Sequence, residues 1–161
     1  MKALGIILIV LVLCAVGGLG YLYMNARVTV EFVECIATDA VDQAAYFDQL
    51  KERVENESFI GTRFSRTPLT TPEDFQFYTY TVRMNNRSFL PAEMVEIQVT
   101  PMGSDLLQIG DTIACNAEAG KATELSATIL TTKDMHNVRE GTITYYLWGL
   151  PFSTKITLGK R

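Results

Sequence analysis

The chain has 161 residues, of which 48% are hydrophobic and 20% charged, with a formal net charge of −4; this length holds one domain of ordinary size plus a short appendage and excludes a multidomain machine. Residues 3–24 carry no charge, and all 18 acidic residues lie beyond them together with all but Lys2 of the 14 Lys and Arg. The remainder is therefore acidic, which argues against a nucleic-acid partner, since a phosphate backbone is bound through clustered Lys and Arg.

Residues 4–24, LGIILIVLVLCAVGGLGYLYM, are roughly 21 residues that rise about 1.5 Å each as a helix and match the ~30 Å hydrocarbon layer of a bilayer. Such a helix satisfies its own backbone hydrogen bonds in lipid, and Tyr21 and Tyr23 stand at one end, where amphipathic rings favour the interface. Ala15 and Gly17 have the small-x-small spacing of a signal-peptide cleavage site, but the apolar run continues through Leu19 to Met24. Residues 1–26 are accordingly predicted to remain as a transmembrane anchor. Cys14 follows Leu13 rather than a small residue, so it is not read as a lipoprotein acceptor. Lys2 lies on one side of the segment and Arg27, followed by Glu31 and Glu34, on the other. The positive-inside tendency then places the N-terminus in the cytoplasm and the following domain outside it, at the cell membrane. Cys14, Gly17, Gly18 and Gly20 thin the helix without forming GxxxG, and are read as ordinary transmembrane small residues.

Residues 27–58 are predicted to form a juxtamembrane strand and an amphipathic helix. In RVTVEFVEC, Val28, Val30 and Phe32 alternate with Thr29 and Glu31, a period-two pattern. Thr38 or Asp39 then offers a cap for a helix that ends near Asn56. Asp42 stands in its first turn and Lys51 and Arg53 in later ones, which suits the macrodipole. Tyr46, Phe47, Leu50 and Val54 share an arc of about 100°, and this stripe is predicted to pack on the helix's own domain, because the polar face is mixed rather than Lys-rich. Its competing role is a partner-binding face.

Residues 59–161 are predicted to be a β-sandwich. Tyr78, Tyr80, Val82 and Met84 share one face of FQFYTYTVRM, and Val95, Ile97 and Val99 share one face of MVEIQVT. Leu125, Ala127 and Ile129, then Ile143, Tyr145 and Leu147, then Phe152, Thr154, Ile156 and Leu158 repeat the pattern. Turn chemistry separates them, at Asn85, Asn86 and Pro91, at Pro101 to Asp105, at Gly110 and Asp111, at Gly120, at Gly141, and at Gly149 with Pro151. With no βαβ alternation, the fold class is mainly β: an antiparallel immunoglobulin/fibronectin-like sandwich of about seven strands with one amphipathic helix, behind an N-terminal transmembrane helix.

Three stretches carry a family resemblance: FQFYTYTVRMNN, PAEMVEIQVTPMGSDLLQIGD and REGTITYYLWGLPFSTKITL. Together they resemble the late-embryogenesis-abundant type 2 domain, also called the water-stress and hypersensitive-response domain. Members commonly carry Asn-Pro after the first of these strands; here Asn85 is followed by Asn86, and the proline comes at Pro91. The resemblance implies a fibronectin-like sandwich, often behind one membrane anchor, linked to stress protection or membrane-associated interaction, and no catalytic residues.

Candidate chemistry outside that resemblance is sparse. His136 is the only histidine, so a multi-His metal site is excluded and any Ser-His-Asp triad depends on this residue, which sits in the polar turn TTKDMHNVREG. Carboxylate pairs such as Glu31 and Glu34, Asp39 and Asp42, or Glu93 and Glu96 read as solvated faces. No Gly-rich phosphate loop, CxxC or calcium loop is present. Cys35 and Cys115 are either a disulfide, as an external domain permits, or two buried thiols. Asn56 and Asn86 lie in glycosylation triplets. Trp148, in LWGLPF, either lies in a loop exposed for binding or plugs one end of the sandwich. The expectation is a non-enzymatic, cofactor-free interaction or envelope-assembly module. Its partners are the membrane and a protein or second copy, with Tyr46, Phe47, Leu50 and Trp148 as candidate partner-binding residues. The alternatives are a stress-protective protein and, last, an enzyme dependent on His136.

Overall fold

In the computed structural model the alternating segments become strands. Residues 2–24, 28–110, 115–133 and 135–159 are described. The expected anchor boundary at Ala26, Arg27, and the turn residue Asp111 lie outside the described residues. A first helix, α1 (Lys2–Met24), leads to β1 (Val28–Asp39) and a second helix, α2 (Ala44–Glu55). Then come β2 (Gly61–Arg63), β3 (Phe75–Asn86), β4 (Ala92–Thr100), β5 (Asp105–Ile109), β6 (Cys115–Ala117), β7 (Ala122–Thr132), β8 (Arg139–Leu147) and β9 (Leu150–Leu158). All pairings are antiparallel, in a five-stranded sheet ordered β1-β3-β7-β5-β2 and a four-stranded sheet ordered β6-β4-β8-β9. The expected count of about seven strands is corrected to nine among the described residues. The additions include β2 and β6, of 3 residues each, too short for alternation to register.

The main core lies between the sheets. Tyr78, Tyr80, Val82 and Met84 of β3 meet Val95, Ile97 and Val99 of β4, Leu125, Ala127 and Ile129 of β7, and Ile143, Tyr145 and Leu147 of β8. These are the inward positions that period two assigns. Gln108, 1% exposed on β5, reaches across to the other sheet: its Nε2 donates to Ile97 O at 2.9 Å and its Oε1 accepts from Val99 N at 2.8 Å. Its side-chain amide serves β4 where the short β6 no longer does.

A second core lies on the outer face of the five-stranded sheet. There Phe47, Leu50 and Val54 of α2 pack on Phe75 and Phe77 of β3, Leu106 and Leu107 of β5 and Leu130 of β7. The Phe47 ring stacks on Phe75 with centroids 5.5 Å apart. The start of β3 and most of β5 are therefore buried on both faces, which is why DLLQI does not alternate. The predicted helix ends at Asn56 as read, but it starts later. A 3-10 turn, Ala40–Gln43, intervenes, and Asp39 makes no capping hydrogen bond. Instead, Asp39 Oδ2 accepts a hydrogen bond from Lys133 Nζ at 3.0 Å. The strand expected over residues 27–35 runs on to Asp39 and zips to β3 from Val28↔Asn86 to Asp39↔Gln76, so it shares the sandwich's own sheet.

Consecutive residues of α1 from Ile6 to Leu13 are each at least 53% exposed, so no face of this stretch is covered by protein. Among the described residues no helix is long and apolar enough to cross a membrane. The structure thus gives, in place of the expected transmembrane span, a helix whose apolar stretch Ile6 to Leu13 has no protein cover.

Candidate interaction surface at the helix-proximal end

One end of the sandwich gathers the start of β1, the β3–β4 loop and the β8–β9 hairpin. Leu147 pairs with Leu150, which leaves Trp148 and Gly149 as a two-residue loop. Their φ values of 51° and 74° are those of a type I′ turn. Glycine suits the second position. Tryptophan at the first occupies the left-handed region, where a non-glycine residue costs about 1–3 kcal/mol. The hairpin thus holds Trp148 65% exposed. Of the two expected placements, the ring lies exposed on the loop and does not plug the end of the sandwich.

The neighbouring loop is built around Asn86, which is 1% exposed. Its Nδ2 donates to Leu90 O at 2.8 Å and Ala117 O at 3.0 Å, and its Oδ1 accepts from the Ser88 backbone N–H at 3.1 Å and Ser88 Oγ at 2.7 Å. With its amide so used, the Asn86 triplet is closed to glycosylation in the folded chain, whereas Asn56, at the end of α2, is exposed. This frame leaves Phe89 58% exposed beside the hairpin. From α1, the Tyr23 ring lies 5.6 Å from that of Phe152, which stacks in turn on Tyr145 at 5.6 Å. Tyr23, Phe89, Trp148, Leu150 and Phe152 line one apolar recess.

The other candidate residues lie elsewhere. Phe47 is fully buried and Leu50 3% exposed in the second core, so their assignment to a partner-binding face is corrected: only Tyr46, at 41%, reaches the surface of α2. The physical reason is that α2 must cover the aromatic outer face of β3, and its apolar stripe is consumed there. Cys35 and Cys115 are free thiols, which corrects the disulfide alternative. They stand on edge strands of different sheets, β1 and β6, and each packs against the main core. His136 is exposed in the β7–β8 loop, where its backbone carbonyl accepts a hydrogen bond from Arg139 Nη1 at 2.5 Å. Among the described residues no group of three or more His, Cys, Asp or Glu is placed to hold a metal ion.

The opposite end of the sandwich holds a buried polar network that the sequence reading missed. Arg139 and Asp105 are each 2% exposed and pair bidentately, Nε to Oδ2 and Nη2 to Oδ1, both at 2.7 Å. Arg139 Nη1 also donates to Val138 O at 2.8 Å, and Asp105 Oδ2 accepts from Met102 N at 2.8 Å. Tyr80 donates to Asn137 O at 2.9 Å and Tyr78 to Met135 O at 2.6 Å, which ties the β7–β8 loop down. A signal was present: extending the inward series Leu147, Tyr145, Ile143 backwards by twos reaches Gly141 and Arg139. Burial pulls the Arg139 guanidinium pKa down, but hydrogen bonding and charge from Asp105 outweigh it and the net shift is upward.

Burial raises the pKa of Cys35, Tyr80, Cys115 and Tyr145, Tyr80 most strongly. The folded chain holds these protons longer than the unfolded chain, whose thiols and phenols ionise near their ordinary 9.0 and 10.0. Their contribution to stability is therefore complete below about pH 9 and falls as pH rises further. Urea midpoints measured from pH 7.5 upward are expected to drop above about pH 9, and less steeply in Tyr80→Phe; a flat profile would contradict this.

No protein-family model matches the chain and no curated protein matches it.

Proposed function

We propose that this chain is a single-pass membrane-anchored protein that presents a β-sandwich outside the cytoplasm as a non-catalytic interaction module. The observation that supports this is α1. Its 23 residues measure about 34 Å at 1.5 Å per residue. They carry no charge after Lys2, and Ile6 to Leu13 point apolar side chains outward all round. A helical stretch hydrophobic on every side with no protein over it calls for lipid as its solvent. The orientation rests on Lys2 before the helix and the acidic domain after it. The longer strands have immunoglobulin-type order: β1-β3-β7-β5 opposite β4-β8-β9 corresponds to the ABED and CFG sheets of that fold, with β2 and β6 as short additions. On such a scaffold the loops at the two ends, rather than the core, carry recognition.

Alkaline carbonate extraction of native membranes tests the anchor. The full chain is expected in the pellet, and the double variant Ile9→Asp, Val12→Asp in the supernatant, because each mid-helix Asp costs about 3 kcal/mol in the bilayer. Protease added to intact cells is expected to trim the sandwich. Release of the unmodified chain by carbonate, or a sandwich shielded from external protease, would overturn the reading. Brief crosslinking with stoichiometry by mass spectrometry then tests the module: one partner near unit ratio supports it, and recovery of the chain alone would replace it with a spacer or stress-protective role.

A further inference from the structure

Resting on the anchored reading of α1, we infer that the apolar end of the sandwich, tipped by Trp148 and Phe89, docks into the interfacial layer of the same bilayer, so that the domain itself is a lipid-binding surface and not only cargo on a tether.

Placement is the first argument. The chain between Met24 and Val28 reaches at most about 14 Å, and Val28 pairs with Asn86, the residue from which the Phe89 loop departs. Tyr23, one residue from the end of α1, touches Phe152 beneath the Trp148 hairpin. Where α1 leaves the hydrocarbon, this end of the sandwich is at headgroup depth.

Chemistry is the second. Trp148 is 65% exposed, Phe89 58% and Tyr23 65%, on three separate segments that converge on one recess. Aromatic side chains of this kind partition to the membrane interface. The hairpin accepts a left-handed tryptophan where Asn or Gly would sit without strain, which keeps the ring at the tip. Arg87, exposed on the Phe89 loop, supplies a cation for lipid phosphates. On the adjoining β6–β7 turn Glu118 pairs with Lys121, so that turn presents no net negative charge to the headgroups. Glu93 stands one step back from the tip, opposite Tyr146 in the β4–β8 ladder.

Trp148 is the only tryptophan in the chain, so its fluorescence reports this contact alone. The full chain is reconstituted into vesicles of phosphatidylcholine with some phosphatidylglycerol, with and without lipids brominated on the upper acyl chain. Docking predicts a blue-shifted emission, quenching by brominated lipid and protection from aqueous iodide, with quenching reduced in Phe89→Ser. If carbonate leaves the chain in the vesicles while iodide quenches Trp148 and brominated lipid does not, the docking inference fails and the anchor stands. If the chain is not retained by the vesicles, the anchored reading fails first. A blue shift that depends on the protein-to-lipid ratio without bromine quenching would assign the patch to a second copy and overturn the inference.

Discussion

Asp105→Ala is expected to lower the unfolding free energy by about 3–5 kcal/mol, the range for breaking one partner out of a buried ion pair. The side chains of Arg139 and Asp105 have no solvent exposure, and their fork-to-fork contact leaves the guanidinium dependent on this carboxylate for its negative charge. Without it, the cation keeps the hydrogen bonds to the carbonyls of His136 and Val138, which do not neutralise it. Urea or thermal unfolding followed by near-ultraviolet circular dichroism measures the loss, a fall of roughly 10 °C in Tm for a chain of this size. The double variant Asp105→Leu, Arg139→Met is expected to be less damaged than Asp105→Ala, since it removes both buried charges. An Asp105→Ala protein within about 1 kcal/mol of the parent would show that the pair does not hold this end of the sandwich together.

Phe47→Ala is expected to cost about 3–5 kcal/mol, as for other aromatic truncations in a packed interior. Phe47 is fully buried, stacks on Phe75 and closes the second core over Phe77, Leu107 and Leu130. Loosening α2 would bare an aromatic sheet face, so increased self-association should accompany the lost stability. Tyr46→Ala, one residue away and 41% exposed, is expected to cost about 1 kcal/mol. Equal effects from the two substitutions would mean that α2 is not seated on the sheet by the Phe47 side.

The contrast between neighbours also shows what sequence could reveal. Tyr46, Phe47, Leu50 and Val54 declared a helix with one apolar side, and Tyr78 to Met84 or Val95 to Val99 declared strands with one, because a single buried face leaves a clean period. Where both faces are covered the period vanishes, as in Asp105–Ile109, and where a strand has three residues there is no period to read. Polar residues were harder. Nothing near Gln108, Asn86 or Arg139 in the chain pointed to their buried partners, because these lie 11, 31 and 34 residues away, at Ile97, Ala117 and Asp105. Asp39 looked like a cap because Lys133, which takes its carboxylate, is 94 residues distant. At the candidate surface, Trp148 and its turn were visible. The convergence of Phe89 and Tyr23 on them was not, since it depends on how three segments meet at one end of the fold.

The register of β1 has a mechanical meaning. This edge strand follows α1 in the chain and runs antiparallel to β3 from Val28↔Asn86 at the helix-proximal end to Asp39↔Gln76 at the far end. A load that enters at Val28 from the α1 side and leaves through something bound at the far end pulls β1 along its own axis, so every rung of the ladder bears force together. A load that leaves through the near loops peels the rungs one at a time, starting at Val28. Pulled from the α1 side, the domain is expected to resist tension along its length better than it resists being levered off sideways.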